Sequence, residues 1–319
     1  MQMRQLGNTE IQMSPIVMGT WQAGKAMWSG IEDEETIKGI RAGFEAGITT
    51  VDTAEVYGEG HSEQIVAKAL GDVRDRAVYA SKVFANHLKY DLVLEACDRS
   101  LKNLNTDYID LYQIHWPSGS WKSEVVPIEE TMRALNQLKE QGKIRAIGVS
   151  NFSRAQLEEA MQYGRIDSLQ PPYSLFWRQV EGDAMPYCIE QKISILAYSS
   201  LAQGILAGKF GPNPTFEEGD HRAKNRLFQP EIYQRVQAAI EKLRPIAERQ
   251  GCTLAQLALA WLIAQPQTHA IAGARNAKQA TGNAKAADVR LSPEQLQEID
   301  AIGRSVTDPL DNNPVMWNF

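Results

Sequence analysis

Cysteine is scarce in this chain, and its cysteines are not spaced for a disulfide framework or for a cysteine-ligated metal site. Only Cys97, Cys188 and Cys252 occur among 319 residues, an odd number without a C-x-x-C spacing. Such isolated thiols are typical of small buried apolar side chains in a reducing compartment. The N-terminus, MQMRQLGNTE, also lacks the apolar core of a secretory signal. These absences predict a cytoplasmic protein.

Long apolar runs and long runs of one charge are missing as well. The most apolar stretch, LAQLALAWLIAQ, contains glutamines and is too short for a membrane span, which needs about 20 apolar residues. The formal net charge of −6 is spread along the chain, which argues against a nucleic-acid or membrane partner. The composition, 43% hydrophobic and 23% charged, is that of a globular protein with a large core.

Short apolar strands alternate with amphipathic helical patterns through most of the sequence. The strand candidates are 16–21, 48–52, 78–83, 109–115, 146–150, 168–170, 193–198 and 269–273. Eight strands that are each followed by a helix fit a closed (β/α)8 barrel, the TIM barrel. The main alternative is a doubly wound open sheet, which normally carries a G-x-G-x-x-G fingerprint. That fingerprint does not occur in the sequence, so we predict the barrel, as a single domain over residues 1–319.

Several segments exceed the barrel repeat. A Gly7-Asn8 turn between short alternating runs predicts an N-terminal hairpin over residues 3–13. The Gly/Pro-bearing segment 199–229, after the seventh strand, has the profile of a functional loop. Two helical patterns, 231–250 and 253–265, follow it back to back, so one of them is an addition to the barrel. The tail, 304–319, is either a loose terminus or a flap that supplies Met316, Trp317 and Phe319 to a substrate pocket.

Four residues that could carry chemistry lie at strand ends. Asp52 and Tyr57 occur in GITTVDTAEVYGEGHSE, Lys82 closes the strand YASKV, and His115 closes LYQIHWP. Taken singly, each has an ordinary explanation: a capping acid, a surface aromatic, a solvated lysine and a core histidine. Together they mark the C-terminal ends of three consecutive strands, where barrel enzymes assemble their active sites.

These four residue types make chemical sense as a set. A tyrosine, with a pKa of about 10, is a poor proton donor near neutrality unless its anion is stabilised. A nearby lysine lowers that pKa, and the aspartate holds the lysine in place. A neutral histidine can donate a ring proton to a substrate oxygen. The set can therefore protonate a carbonyl oxygen or deprotonate an alcohol, and it contains neither a nucleophile nor a metal cage.

The same stretches, together with IGVSNF and LQPPYS, resemble the aldo-keto reductases, and most closely the bacterial reductases that are similar to potassium-channel β-subunits. The resemblance runs from about Leu6 to the last helix. It implies reduction of aldehydes and ketones, reversibly, with hydride from NADPH. It also implies that Tyr57 is the general acid, that Lys82 and Asp52 tune it, and that His115 orients the substrate.

The resemblance further implies a cofactor site without a Rossmann fold. Its implied contacts are Gly19, Thr20, Trp21 and Asp52 near the nicotinamide; Ser150, Asn151 and Gln170 at its carboxamide; Tyr198 stacked on its ring; Ser199, Leu201, Gly204, Leu206, Lys209 and Arg222 along the pyrophosphate; and Gly273, Arg275, Gln279 and Asn283 around the adenosine. The planar guanidinium of Arg275 suits a 2′-phosphate, so NADPH is favoured over NADH. Departures from the family pattern occur at Ala272, where proline is more common, and at Ser118, where aspartate is.

The implied substrate pocket is apolar and aromatic. Trp21, Tyr57, Phe84, His115 and Trp116 are its expected residues, and Trp28 and the tail aromatics are further candidates, although plain core packing explains the hydrophobic ones equally well. The expected partner is a small carbonyl compound, and the expected assembly is a monomer or a weak homo-oligomer.

Two other classes of protein compete with the reductase. A cofactor-binding regulatory subunit, similar to the channel β-subunits, would keep the same four residues but turn over little substrate. A metal-dependent barrel enzyme would need clusters of His, Asp and Glu at several strand ends. Beyond Asp52 and His115 the strand ends offer none, and we expect no metal.

Overall fold

Eight parallel strands form a closed barrel in the computed structural model of the chain, which describes residues 1–25, 30–217 and 220–317. The barrel strands are β3 (Ile16–Gly19), β4 (Thr50–Asp52), β5 (Val78–Val83), β6 (Ile109–Ile114), β7 (Ile144–Ser150), β8 (Ser168–Gln170), β9 (Ser194–Ala197) and β10 (Thr268–Gly273). They are neighbours in chain order, and β10 pairs with β3 to close the ring. The predicted (β/α)8 barrel is confirmed. Trp28 and Phe319 lie outside the described residues.

Helices surround the barrel. They are α1 (Asp33–Glu45), α2 (His61–Leu70), α3 (Tyr90–Leu104), α4 (Ile128–Glu140), α5 (Arg154–Ala160), α6 (Ala184–Glu190), α7 (Pro230–Arg249), α8 (Leu254–Ile263), α9 (Ala277–Ala284) and α10 (Pro293–Thr307). Helix α8 packs on β10, whereas α7 packs mainly against α10. Therefore α8 is the barrel helix and α7 is the addition. Among the described residues, no helix is both long enough and apolar enough to cross a bilayer.

The predicted N-terminal hairpin is present, with β1 (Arg4–Gln5) antiparallel to β2 (Gln12–Met13). Leu6 and Met13 are completely buried, in one cluster with interior barrel residues such as Leu111. The backbone N–H of Gly7 donates to Ser194 Oγ at 2.8 Å. The hairpin therefore packs apolar side chains against the barrel interior.

Alternation along the strands determines which side chains face the barrel interior. Val78 and Ala80 on β5 and Leu111 on β6 belong to the interior cluster. Because successive side chains of a strand point to opposite faces, the next interior position on β5 is Lys82 and the next on β6 is Gln113. An apolar layer thus supports a polar layer at the C-terminal ends of the strands.

Several boundaries differ from the prediction by a few residues. The first barrel strand was expected to reach residue 21, but it ends at Gly19, and Trp21–Gly24 forms a 3₁₀ turn. The helical pattern that begins at Arg154 continues to Tyr163 in the sequence, but helix α5 ends at Ala160. The helix begins after Ser153, which forms a capping box with Gln156 in which each side chain bonds the other residue's backbone N–H.

Candidate functional site

Asp52 and Lys82 form a buried ion pair at the C-terminal end of the barrel. The Lys82 ammonium donates to Asp52 Oδ1 at 2.6 Å and to the Thr53 carbonyl at 2.7 Å. Its nitrogen lies 3.4 Å from the Tyr57 hydroxyl oxygen. Lys82 is fully buried and Asp52 is 3% exposed. Removing one partner of such a pair leaves an uncompensated charge and costs about 3–5 kcal/mol.

Tyr57 is held over this pair by a close backbone crossing. A Cβ at Gly24 would lie 2.5 Å from the Tyr57 carbonyl carbon, and one at Gly58 would lie 2.3 Å from the Gly24 carbonyl oxygen. Gly58 also has a φ of +64°, which favours glycine. The two glycines let the 21–24 turn and the Tyr57 loop touch, and this contact fixes the tyrosine relative to β3.

His115 lies beside Tyr57 at the end of β6. The two rings are edge to face, with centroids 5.7 Å apart, and the His115 backbone N–H donates to the Val83 carbonyl at 2.9 Å. Within the described part of the chain, the buried His115 Nδ1 has no hydrogen-bond partner. The structure therefore brings together all four residues that the sequence singled out.

The protonation states follow from burial and from Lys82. Burial, and then the Lys82 charge, hold the pKa of His115 well below its ordinary value, so the imidazole is neutral. Burial lowers the pKa of Lys82, but Asp52 and Tyr57 more than offset this, and the lysine stays charged. Burial also raises the pKa of Tyr57, and the Lys82 charge only partly opposes it. We expected a lowered tyrosine pKa from the sequence, which does not reveal how strongly the surrounding protein desolvates the phenol; the Tyr57 hydroxyl is therefore protonated near neutral pH.

The second oxygen of Asp52 is bound by two amides. Gln170 Nε2 donates to Asp52 Oδ2 at 2.8 Å, and Gln113 Nε2 lies 3.3 Å from the same oxygen. Gln113 was not among the predicted site residues. The signal for it was present, because Gln113 is a polar side chain between Leu111 and His115 at the alternating interior positions of β6.

Ser150, Asn151 and Tyr198 form a chain of hydrogen bonds next to Gln170. Ser150 Oγ donates to the Gln170 carbonyl at 2.8 Å, Asn151 Nδ2 donates to Ser150 Oγ at 3.0 Å, and the Tyr198 hydroxyl donates to Asn151 Oδ1 at 2.8 Å. The Tyr198 ring is stacked on Trp317, with centroids 6.1 Å apart and planes 8° apart. The tail therefore reaches the ring that was predicted to stack on a nicotinamide.

The segment after β9 has a strongly turned backbone at its start. Ser199, Gln203 and Gly204 have φ values of +52°, +56° and +98°. Left-handed backbone of this kind occurs in concave loops that bind anions. Further along, Lys209 is exposed. Of the other predicted pyrophosphate contacts, Leu201 is half-buried within the turned stretch, and Leu206 is buried between that stretch and Lys209.

Arg222, another predicted pyrophosphate contact, is bound to Asp220. Its Nε donates to the two carboxylate oxygens at 2.9 and 3.0 Å, and its guanidinium lies 5.7 Å from the Phe210 and Phe216 ring centroids. The Asp220 carboxylate also raises the pKa of Arg222. In this conformation the arginine is engaged within its own loop.

The predicted adenosine residues cluster where β10 meets α9. Asn283 Nδ2 donates to the Gly273 carbonyl at 3.2 Å, and the Arg275 backbone N–H donates to Gln279 Oε1 at 2.9 Å. Gln22, which the sequence analysis did not single out, ties this end of β10 to the first barrel strand by donating to the Ala274 and Gly19 carbonyls at 3.0 and 3.2 Å. Thr20, next to it, donates from its hydroxyl to the Asp52 carbonyl at 2.9 Å.

Aromatic rings extend from His115 away from the ion pair. The Phe84 ring lies 5.5 Å from the His115 ring, edge to face. Its backbone N–H donates to Glu55 Oε1 at 2.8 Å, and the same oxygen bonds His87 Nδ1 at 2.9 Å, so Glu55 holds the loop that carries Phe84. Trp116 is half-buried beside them. Within residues 1–25, 30–217 and 220–317, no group of three or more His, Cys, Asp or Glu side chains is placed to hold a metal ion.

Comparisons with known proteins find relatives over nearly the whole chain. The sequence profile of the aldo/keto reductase family matches residues 15–304. The chain is 37% identical to the aldo-keto reductase YhdN of Bacillus subtilis, over 97% of this chain and 96% of that protein. It is 34% identical to an NADH-specific methylglyoxal reductase of Escherichia coli, over 90% of this chain and 94% of that one.

Solved structures are similar over nearly the whole chain. A glycerol dehydrogenase from Gluconobacter oxydans superposes with a TM-score of 0.88 at 33% identity, and the alignment covers 97% of each chain. An aldo/keto reductase from Klebsiella pneumoniae in complex with NADP and acetate superposes with a TM-score of 0.75 at 31% identity, over 96% of each chain.

Proposed function

Since this chain is an oxidoreductase of the aldo/keto reductase family, we propose that it reduces aldehydes or ketones with NADPH, reversibly, and that Tyr57 donates the proton. The observation that carries this proposal is the buried chain of contacts from Asp52 through Lys82 to the Tyr57 hydroxyl. A protonated phenol beside a fixed ammonium, next to a neutral histidine, suits protonation of a carbonyl oxygen.

In this proposal each of the four residues has one task. The neutral His115 donates a hydrogen bond to the carbonyl oxygen and orients it toward Tyr57. When Tyr57 gives up its proton, the Lys82 ammonium, 3.4 Å from the phenol oxygen, stabilises the anion that remains. Asp52 keeps the ammonium in place and compensates its charge. Because the phenol pKa is raised by burial, this stabilisation is needed for the transfer to proceed.

The residues that would hold the dinucleotide lie at or just after the C-terminal ends of β7, β8, β9 and β10. Gln170, Ser150 and Asn151 would bind the nicotinamide carboxamide, the turned backbone after Ser199 would bind the pyrophosphate, and Arg275 would pair with a 2′-phosphate. The left-handed backbone after Ser199 suits an anionic pyrophosphate. The amide groups beside Asp52 suit the hydrogen-bonding groups of a carboxamide. When bound, the cofactor supplies the hydride. We propose NADPH as the preferred form, since the similar Klebsiella enzyme was solved with NADP, although one relative is NADH-specific.

The tail is proposed to border the substrate pocket of a single barrel domain. Met316 is completely buried, its carbonyl accepts from the Arg226 N–H at 2.9 Å, and Trp317 lies against Tyr198. Of the two interpretations of the tail, these contacts support a flap and not a loose terminus, because each of them ties the tail to the mouth of the barrel.

Replacing Tyr57 with phenylalanine tests the assignment. The change removes the donated proton and should lower kcat for aldehyde reduction by about 10²–10⁴-fold, the usual contribution of acid–base catalysis, while the NADPH dissociation constant from fluorescence titration stays within about twofold. Tyr79→Phe is the matched control, because the Tyr79 hydroxyl is buried without a partner in the described part of the chain. Wild-type turnover in Tyr57→Phe would disprove the proton-donor role. NADPH binding by the wild type without turnover of any carbonyl would instead favour a regulatory subunit.

A further inference from the structure

One aromatic side chain beside the proposed pocket is both exposed and held in a strained backbone. Trp121 is 50% exposed, and its φ and ψ are +57° and +32°. Lys122 follows with a φ of +60°. A left-handed conformation is unfavourable for residues with a Cβ and persists only where the surrounding structure enforces it.

The surrounding loop does enforce it. The Ser118 hydroxyl donates to the Val126 carbonyl at 2.8 Å, and the Gly119 N–H donates to Ser123 Oγ at 3.1 Å. These bonds close the loop at its base and across its tip. The position of Trp121 is therefore set by the loop, which presents a large apolar ring to solvent.

The ring is also continuous with the proposed substrate site. It packs edge to face on Trp116, with centroids 5.6 Å apart, and lies 6.3 Å from Phe84. Phe84 in turn contacts His115. Two ring-to-ring steps thus lead from the residue that would hold the carbonyl oxygen to Trp121. Contiguous exposed apolar surface can mark a ligand-binding region.

Resting on the proposed function, we infer that Trp121 is a specificity-determining residue that contacts the aromatic substituent of a carbonyl substrate whose oxygen lies at His115 and Tyr57. A planar substrate could stack against the Trp121 indole, whereas a short aliphatic dicarbonyl such as methylglyoxal would not extend to it. The Trp121 indole would therefore favour planar aromatic substrates over short aliphatic ones, without affecting the proton transfer from Tyr57.

The test compares kcat/KM for 4-nitrobenzaldehyde and methylglyoxal in Trp121→Ala, Trp121→Phe and Val125→Ala. Val125 lies on the same loop, is 77% exposed and serves as the control. We expect Trp121→Ala to lower kcat/KM for 4-nitrobenzaldehyde by about 3- to 10-fold, the worth of an aromatic pair, and that for methylglyoxal by less than about twofold. Trp121→Phe should keep most of the aromatic activity, and Val125→Ala should change neither. Equal losses on both substrates, or no loss on either, would overturn the inference.

A second measurement separates this inference from the proposed function. Calorimetric titration of 4-nitrobenzoate, which cannot be reduced, into the protein saturated with NADP⁺ reports the aromatic contact without turnover. Binding that is about 3- to 10-fold weaker in Trp121→Ala supports the inference even if no carbonyl is reduced. Unchanged binding, or none in the wild type, overturns it while leaving reductase activity free to be observed.

Discussion

Replacing Trp317 with alanine should tighten NADPH binding, because Trp317 covers the ring on which the nicotinamide is proposed to stack. The two rings are almost parallel, 8° apart, with centroids 6.1 Å apart. The backbone of Trp317 pairs with that of Asn225 in an isolated antiparallel β-bridge, and the preceding residue, Met316, is fully buried. These contacts hold Trp317 in place. For the nicotinamide to occupy the same face of Tyr198, the indole has to leave.

The cost of that displacement can be worked from the contact. A stacked aromatic pair is worth about 0.5–1.5 kcal/mol beyond its buried area. If this term opposes cofactor binding in the wild type, its removal lowers the NADPH dissociation constant by about 2- to 12-fold. The Met316 anchor stays in place in Trp317→Ala, so the rest of the tail should be little changed.

Fluorescence titration of a double-mutant cycle gives the decisive measurement. Trp317→Ala should tighten NADPH binding when Tyr198 is present and should have no effect in a Tyr198→Leu background, where neither ring can stack. Weaker or unchanged binding in Trp317→Ala alone would show that the indole helps to form the cofactor site, or that the nicotinamide binds elsewhere. Either result would refute the competition.

Two further predictions concern the adenosine end and the acid stability of the barrel. Arg275→Ala should raise KM for NADPH by about tenfold or more, the worth of a hydrogen bond to a charged group, and KM for NADH by less than about twofold. Lys278→Ala, at an exposed position, is the control. Equal changes in KM for both cofactors would contradict a contact between Arg275 and the 2′-phosphate. Burial lowers the pKa of His269 from 6.5 to about 4, so the unfolded chain takes up this proton first, and the free energy of unfolding should fall by about 3 kcal/mol between pH 7.5 and 4. Urea unfolding should show a shallower fall in His269→Gln, and identical pH profiles would contradict the assignment.

The barrel could be predicted from the sequence because each strand is a local apolar run with its own helix. The ends of β5 and β6 also carried the chemical signal, since Lys82 and His115 are polar residues at the interior positions of apolar strands. The same alternation identifies Gln113, whose polarity is visible in the sequence. Local pattern was therefore sufficient wherever one strand by itself determines the direction of a side chain.

Contacts between distant segments could not be predicted in the same way. The tail that carries Trp317 has no periodic pattern, and its stacking on Tyr198 depends on how residues 308–317 cross the loop after β9. The pKa of Tyr57 is a second case, because it depends on desolvation by all the surrounding elements and not on the neighbouring Lys82 alone. In both cases the deciding quantity is the packing of several elements, to which no single stretch of sequence corresponds.

The orientation of Gln170 links the two halves of the proposed reaction. A carboxylate can only accept hydrogen bonds, so Asp52 Oδ2 requires the Nε2 side of the Gln170 amide, as the 2.8 Å contact shows. The carbonyl oxygen of that amide is then directed away from the carboxylate and can accept a hydrogen bond. The carboxamide of a nicotinamide carries an N–H₂ donor that matches it. Hence the carboxylate that fixes Lys82 would also set which end of Gln170 is offered to the proposed cofactor.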